Sequence, residues 1–156
     1  MLEIAVPGAA PFRFKHLVAD FNGTLAIDGA LIAGVSEALR TLAATLTIHV
    51  VTADTFGRVK EAMGGVPCAT TILPPGDQDL AKQRYVERLG AADCVCIGNG
   101  RNDRLMLAAA GLGIAVIQGE GAAVETLLAA RVAVPDIGAA LGLLVNPARL
   151  TATLRL

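Results

Sequence analysis

Tryptophan is absent from this sequence and tyrosine occurs once, so aromatic side chains, at 3% of residues, cannot carry the core. Packing has to come from aliphatic residues: 54% of the chain is hydrophobic, which is the composition of strands covered by helices on both faces. Charge is scarce as well. Charged residues make up 17%, and 13 Lys and Arg face 14 Asp and Glu for a net −1. With no basic stripe, binding to nucleic acid has no electrostatic footing. No apolar run approaches the ~20 residues of a membrane helix. The opening MLEIAVPGAAPFRFKH lacks the basic start and long apolar stretch of a signal peptide. The expectation is a soluble, cytoplasmic protein.

Cysteine is limited to Cys68, Cys94 and Cys96, an odd number on segments that read as strands, so reduced thiols are expected rather than a disulfide framework. Cys94 and Cys96, two apart, share one face of a strand. A zinc site would want more partners, and His16 and His49 lie in other apolar strands. The thiols read as small buried hydrophobes.

What the chain does contain is alternation. Strands are predicted at residues 16–20 (HLVAD), 47–51, 68–73, 94–97, 112–117 and 132–134. Helices are predicted at 35–44, 55–63, 77–89 (with Gly90 as C-cap), 101–110, 122–130 and 137–144, and Pro147 opens a last amphipathic turn or two. Residues 2–6 read as an extra edge strand. Such alternation implies parallel strands and a doubly wound α/β fold, a three-layer sandwich with a mostly parallel sheet, as one domain over residues 1–156. The apolar tail at 139–144 and 150–156 is expected to pack on the sheet.

In an open parallel sheet, ligands bind beyond the carboxyl ends of the strands. Asp20, Thr52 and the turn Gly98-Asn99-Gly100-Arg101-Asn102-Asp103 each sit just past such an end. A carboxylate like Asp20 can attack phosphorus and form an aspartyl phosphate, and Gly23 lets the backbone turn sharply. The Thr52 hydroxyl can bind phosphoryl oxygens, Lys82 can neutralise their charge, and Asp20 with Asp103 can hold magnesium, which wants hard oxygen ligands. Each has a plainer explanation alone. Asp20 can cap a turn, Thr52 or Asp54 can cap a helix, Lys82 can be a solvated helix residue, and Asn99 or Asn102 can cap the helix that Asp103 begins.

Together and in this order the residues resemble the haloacid-dehalogenase superfamily. Asp20-Phe21-Asn22-Gly23-Thr24 is similar to its D-x-D-G-T motif, Thr52 and Lys82 to its second and third, and Gly98–Asp103 to its G-D-G-x-N-D motif. The N-D ending and Thr52-Ala53-Asp54 look closest to the phosphorylation domain of P-type ATPases and to the stand-alone soluble phosphatases that resemble it. The resemblance implies a magnesium-dependent hydrolase with Asp20 as nucleophile and metal ligand. It also implies a backbone carbonyl at Asn22 on the metal, with Asn99 and Asp103 completing that site. Gly23, Thr24, Thr52, Ala53 and Lys82 would surround the phosphoryl group. The interval between Asn22 and Thr52 has room for one helix and no cap domain, so the site should be open to a small phosphorylated substrate or a phosphoprotein, or be covered by a second subunit.

Two positions depart from the family pattern. Asn22 stands where many phosphatases carry the acid that protonates the leaving group, and loss of such assistance typically removes ~10²–10⁴ in rate. Asn99 replaces an acidic metal ligand and takes away one negative charge. Two functions follow from different classes: a slow phosphatase or phosphotransferase, and a catalytically weak domain that binds phosphate or a protein partner in a regulatory role.

Overall fold

The computed structural model describes residues 1–54 and 57–155. In chain order the elements are β1 (Leu2–Ile4), β2 (Phe12–Phe14), β3 (His16–Ala19), β4 (Ala26–Ile27), β5 (Ala30–Leu31), α1 (Val35–Leu42), β6 (Thr47–Thr52), α2 (Val59–Ala62), β7 (Cys68–Ile72), α3 (Gln78–Leu89), β8 (Cys94–Gly98), α4 (Arg104–Ala109), β9 (Leu112–Val116), α5 (Val124–Ala129), β10 (Val132–Val134), α6 (Ile137–Val145) and α7 (Pro147–Leu154). Short 3-10 turns at Ala91–Asp93 and Arg101–Asp103 lead into β8 and α4.

Six strands form one parallel sheet in the order β10-β9-β8-β3-β6-β7, so β3 is interior and ends at Asp20. Period-two alternation assigns the two faces. Leu17, Ala19, Ile48, Val50, Val95 and Ile97 join one apolar cluster, with residues of α1, α6 and α7. Val18, Val51, Cys94 and Cys96 join the other, with Val86 of α3 and Met106 and Leu107 of α4. Helices therefore cover both faces, giving the three-layer α/β sandwich.

Several segments differ from expectation. Residues 2–4 pair antiparallel with β2 and form no edge of the main sheet. The predicted helix at 55–63 is helical at Val59–Ala62, and its start lies outside the described residues. A hairpin at Ala26–Leu31 stands directly after the first motif; Asp28 and Gly29 take φ of 51° and 77°, the left-handed pair of a two-residue turn. Burial raises the Cys94 thiol to about 11 and pushes Cys96 well above its ordinary range, so both stay protonated near neutral pH. The tail does pack inward: Ile137, Ala140, Leu141, Leu144 and Leu150 are buried in the larger cluster. Among the described residues no single helix is long and apolar enough to cross a membrane; α6 and α7 together reach the length but break by 99°.

Candidate active site

Asp20 leaves β3 where that strand is flanked by β6 and β8, and its N–H donates to Ile97 O at 3.0 Å. The following turn is tight. Phe21 O accepts the N–H groups of Thr24, Leu25 and Ala26, and Ala26 O accepts that of Gly23. The Asn22 carbonyl accepts none of the turn's hydrogen bonds. Gly23 holds φ at 79°, a conformation that costs a side-chain-bearing residue.

Lys82 is the centre of the electrostatics. It rises from the first turns of α3, is fully buried, and donates to Asp20 Oδ1 and to Asp103 Oδ1, each at 2.6 Å. The second oxygen of Asp103 accepts the N–H groups of Asn99 (3.0 Å) and Gly100 (2.9 Å). Asp103 is thus satisfied on both oxygens and fixes the turn and the lysine together. Burial and the charge of Asp103 raise the Asp20 carboxyl to about 7, with Lys82 pulling the other way. Burial alone would lower Lys82, but Asp103 and Asp20 reverse this and lift its ammonium above the ordinary lysine range.

Thr52 ends β6, buried, with its Oγ accepting the Asp54 N–H at 3.0 Å; the hydroxyl proton stays available. Asp54 Oδ1 accepts from Arg58 N and Val59 N and so caps the start of α2. A cavity of about 160 Å³ is lined by Asp20, Asn22, Thr52, Ala53, Asn99, Gly100 and Asn102. Among the described residues the buried Asn22 Oδ1 atom has no hydrogen-bond partner. Gly23 and Thr24 stand aside from this cavity. The Thr24 hydroxyl, fully buried, lies 3.1 Å from Asn99 Oδ1 and 3.5 Å from Asp20 Oδ2, joining the first and fourth motifs.

Sequence reasoning missed Gln118, in the loop after β9. Its Nε2 donates to Gly23 O (3.0 Å) and Thr24 O (2.6 Å), while its Oε1 accepts from Ile137 N (2.9 Å) at the start of α6. Asn99 is held by the same loop: Nδ2 donates to Gly121 O, and Asn99 O accepts the Ala123 N–H, both at 2.9 Å. No local motif marks Gln118, so only the fold reveals this clamp.

Among the described residues no three His, Cys, Asp or Glu side chains converge as a ready-made metal cage. Magnesium does not require one, because it keeps several waters and takes one or two carboxylates. Asp20, Asn99 and the Asn22 carbonyl, which accepts none of the turn's hydrogen bonds, are hard oxygen donors at the cavity, whereas Asp103, expected as a ligand, is fully buried outside its lining with both oxygens engaged. This donor set fits magnesium.

No family model matches the chain. It is similar to 3-deoxy-D-manno-octulosonate 8-phosphate phosphatase from Moraxella catarrhalis, whose crystal structure contains magnesium, phosphate and 3-deoxy-D-manno-octulosonate (TM-score 0.70, 16% identity, 91% of this chain and 94% of that one). The corresponding enzyme from Haemophilus influenzae, in a cobalt-bound form, superposes with TM-score 0.71 at 12% identity over 91% and 93%. A Legionella pneumophila structure described as a hydrolase of haloacid-dehalogenase subfamily III A gives 0.71 at 21% over 91% and 89%. At these identities the likeness establishes the fold, which is haloacid-dehalogenase-like. In sequence, 84 residues, 51% of this chain and 90% of the relative, are 44% identical to the uncharacterized protein MJ0073 of Methanocaldococcus jannaschii. On a haloacid-dehalogenase-like fold, the chain belongs to the same family as that Methanocaldococcus protein.

Proposed function

We propose that the protein is a magnesium-dependent phosphatase or phosphotransferase working through an aspartyl phosphate on Asp20. One observation carries the reading: a fully buried ammonium, Lys82, bridges Asp20 and Asp103 beside a cavity edged by the Thr52 hydroxyl. An Asp20 oxygen bonds to phosphorus while the ester oxygen leaves with its electron pair. Lys82, the Thr52 hydroxyl and the backbone around Ala53 offset charge on the phosphoryl oxygens. Magnesium, held by Asp20, Asn99 and the Asn22 carbonyl, would supply further charge neutralisation, while Asp103 positions Lys82 and the Asn99–Gly100 turn. Water then attacks phosphorus, phosphate departs, and the Asp20 carboxylate returns.

Asn22 has no proton to give the leaving oxygen and cannot take one from the attacking water, so the first step takes a proton from solvent and the second releases one to it. Slow hydrolysis and a persistent phosphoenzyme follow, as in the phosphorylation domain of P-type ATPases. Asn102 also lines a neighbouring cavity of about 420 Å³, edged by Asp77, Asp79, Arg101 and Arg104. That polar recess suits the leaving group of a small phosphorylated metabolite and is open enough for a phosphoprotein.

The test uses acetyl phosphate and p-nitrophenyl phosphate with magnesium. We expect an acid-stable, hydroxylamine-labile phosphoenzyme in the native chain and none in Asp20→Asn. Asn22→Asp should speed dephosphorylation by ~10²–10⁴. Equal turnover by the native chain and Asp20→Asn, with no trapped phosphoenzyme, would leave the regulatory phosphate-binding reading in its place.

A further inference from the structure

The loop of residues 117–123 is pinned to both halves of the site, by Gln118 to the first motif and by Gly121 and Ala123 to Asn99. Glu120 sits between these anchors. A Cβ on Gly23 would lie 2.5 Å from Glu120 Oε2, 2.5 Å from Asn99 Nδ2 and 2.8 Å from Asn99 Oδ1. The missing side chain at position 23 therefore leaves a small polar cradle between the Glu120 carboxylate and the Asn99 amide. Through the Thr24 hydroxyl that cradle connects to Asp20. Glu120 itself is exposed and makes no ion pair among the described residues, with its carboxylate facing the Gly23 backbone beside the Asp20–Lys82–Asp103 cluster.

Charge gives this placement a purpose. Asp20 and Asp103 carry two negative charges, Lys82 returns one, and the amides at Asn22 and Asn99 add none. A dication at Asp20 would then meet little net negative charge. Hard cations bind more tightly as anionic oxygens gather around them, including those that do not ligate directly. We propose that Glu120 is an acidic residue of the magnesium site, acting across the Gly23 cradle from outside the direct ligands and supplying the negative charge that Asn99 lacks. This rests on the magnesium reading of the Asp20 site. Gln118 and Gly121 fix the loop backbone on either side of Glu120, which sets where its carboxylate can reach.

Magnesium chloride titrated calorimetrically into the full chain at fixed ionic strength tests the proposal, using the native protein, E120Q, E125Q and D20N. Glu125 is an outward residue paired with Arg101, so E125Q removes the same charge away from the site. We expect E120Q to weaken magnesium binding about 10-fold or more, E125Q to leave it unchanged, and D20N to abolish it. Adding Asn99→Asp to E120Q should restore affinity by returning the charge at the ligand itself. Denaturation midpoints in EDTA should be equal for E120Q and the native chain, which separates a metal effect from a folding one. If E120Q binds as the native chain does, or E125Q loses as much, the assignment of Glu120 is overturned while the site stands. If the native chain shows no binding, or D20N binds equally well, the site and the assignment fall together.

Discussion

Helix α3 presses two polar clusters against one face of the sheet, three residues apart, one buried and one half-buried, and they are built in opposite ways. Toward the carboxyl rim Lys82 bridges two carboxyl groups, and every member is ionisable. Further along, the Tyr85 hydroxyl lies 2.9 Å from His49 Nδ1, and His49 Nε2 lies 3.1 Å from His16 Nδ1. Burial and the neighbouring His16 lower the His49 pKa, which keeps that ring neutral near pH 7. Taking charges out of water is expensive, and their attraction often only repays the cost. Neutral hydrogen bonds would fasten α3 to the sheet more cheaply, as the second cluster does. The charged cluster therefore makes sense as chemistry, and the neutral one as structure.

The sharpest way to test this contrast is Lys82→Met. It keeps much of the volume but strands two buried carboxylates, so we expect a loss of about 3–5 kcal/mol in urea unfolding at pH 8. Phosphoryl transfer should fall by ~10²–10³ through loss of the fixed cation. Combining it with Asp20→Asn should recover part of the stability and none of the activity. A Lys82→Met protein as stable as the native chain would mean that the carboxylates are already neutral or hydrated, and the contrast with the histidine cluster would dissolve.

Next in size comes Gly98→Ala at the end of β8. The new Cβ would sit 2.5 Å from Asp103 Cγ and 2.6 Å from its Cβ. Asp103 must then move away from both Lys82 and the Asn99 and Gly100 N–H groups. We expect about 1–3 kcal/mol of destabilisation from overpacking, and weaker magnesium-dependent stabilisation in thermal unfolding. The histidine cluster, three strand residues away from that rim, should show unchanged Tyr85 fluorescence.

The main sheet was legible because each strand is an apolar run of strand length, and alternation with helical period leaves little choice of topology. The first hairpin was not: residues 2–4 are too few to specify a partner, and β2 has no pattern that points back to them. The β4–β5 hairpin did leave a signal in Asp28-Gly29, a dipeptide suited to the left-handed turn it adopts. For the site, residue types and order suffice to pick Asp20, Thr52 and Asp103 as rim residues, and the family resemblance adds Lys82. They cannot reveal that one ammonium spans both carboxylates, because sequence encodes no distance between α3 and the rim. Gln118 was invisible for the same reason, reaching carbonyls that lie on another strand's turn. His16 and His49 read as isolated; register alone, with Val18 opposite His49 in parallel strands, brings their rings together.

On the neutral side the expected effects are smaller. Tyr85→Phe removes one hydroxyl from His49 and leaves the ring packed edge-on against it, so about 1 kcal/mol should be lost. Magnesium affinity and turnover should be unchanged, since Tyr85 touches neither carboxylate. A drop in either would show that the two clusters are coupled through α3, and that helix position, not charge alone, sets the site.

The smallest effect is a slope with pH, and it carries opposite signs in the two clusters. His49 has a folded pKa below its ordinary 6.5, so the unfolded chain binds the proton more readily. Its contribution is present above pH 6.5 and is lost as pH falls through that value toward the lowered one. Asp20 runs the other way: its folded pKa of about 7 lies above the ordinary 3.8, so its contribution is present at low pH and lost as pH rises toward 7. The two slopes oppose each other just below pH 6.5 in the native, metal-free chain. In Asp20→Asn the carboxyl slope is gone, and urea midpoints should then rise with pH over that range. A flat profile in Asp20→Asn would mean that His49 is free to take up a proton in place, and that the cluster beneath Tyr85 is no more neutral than the one beneath Lys82.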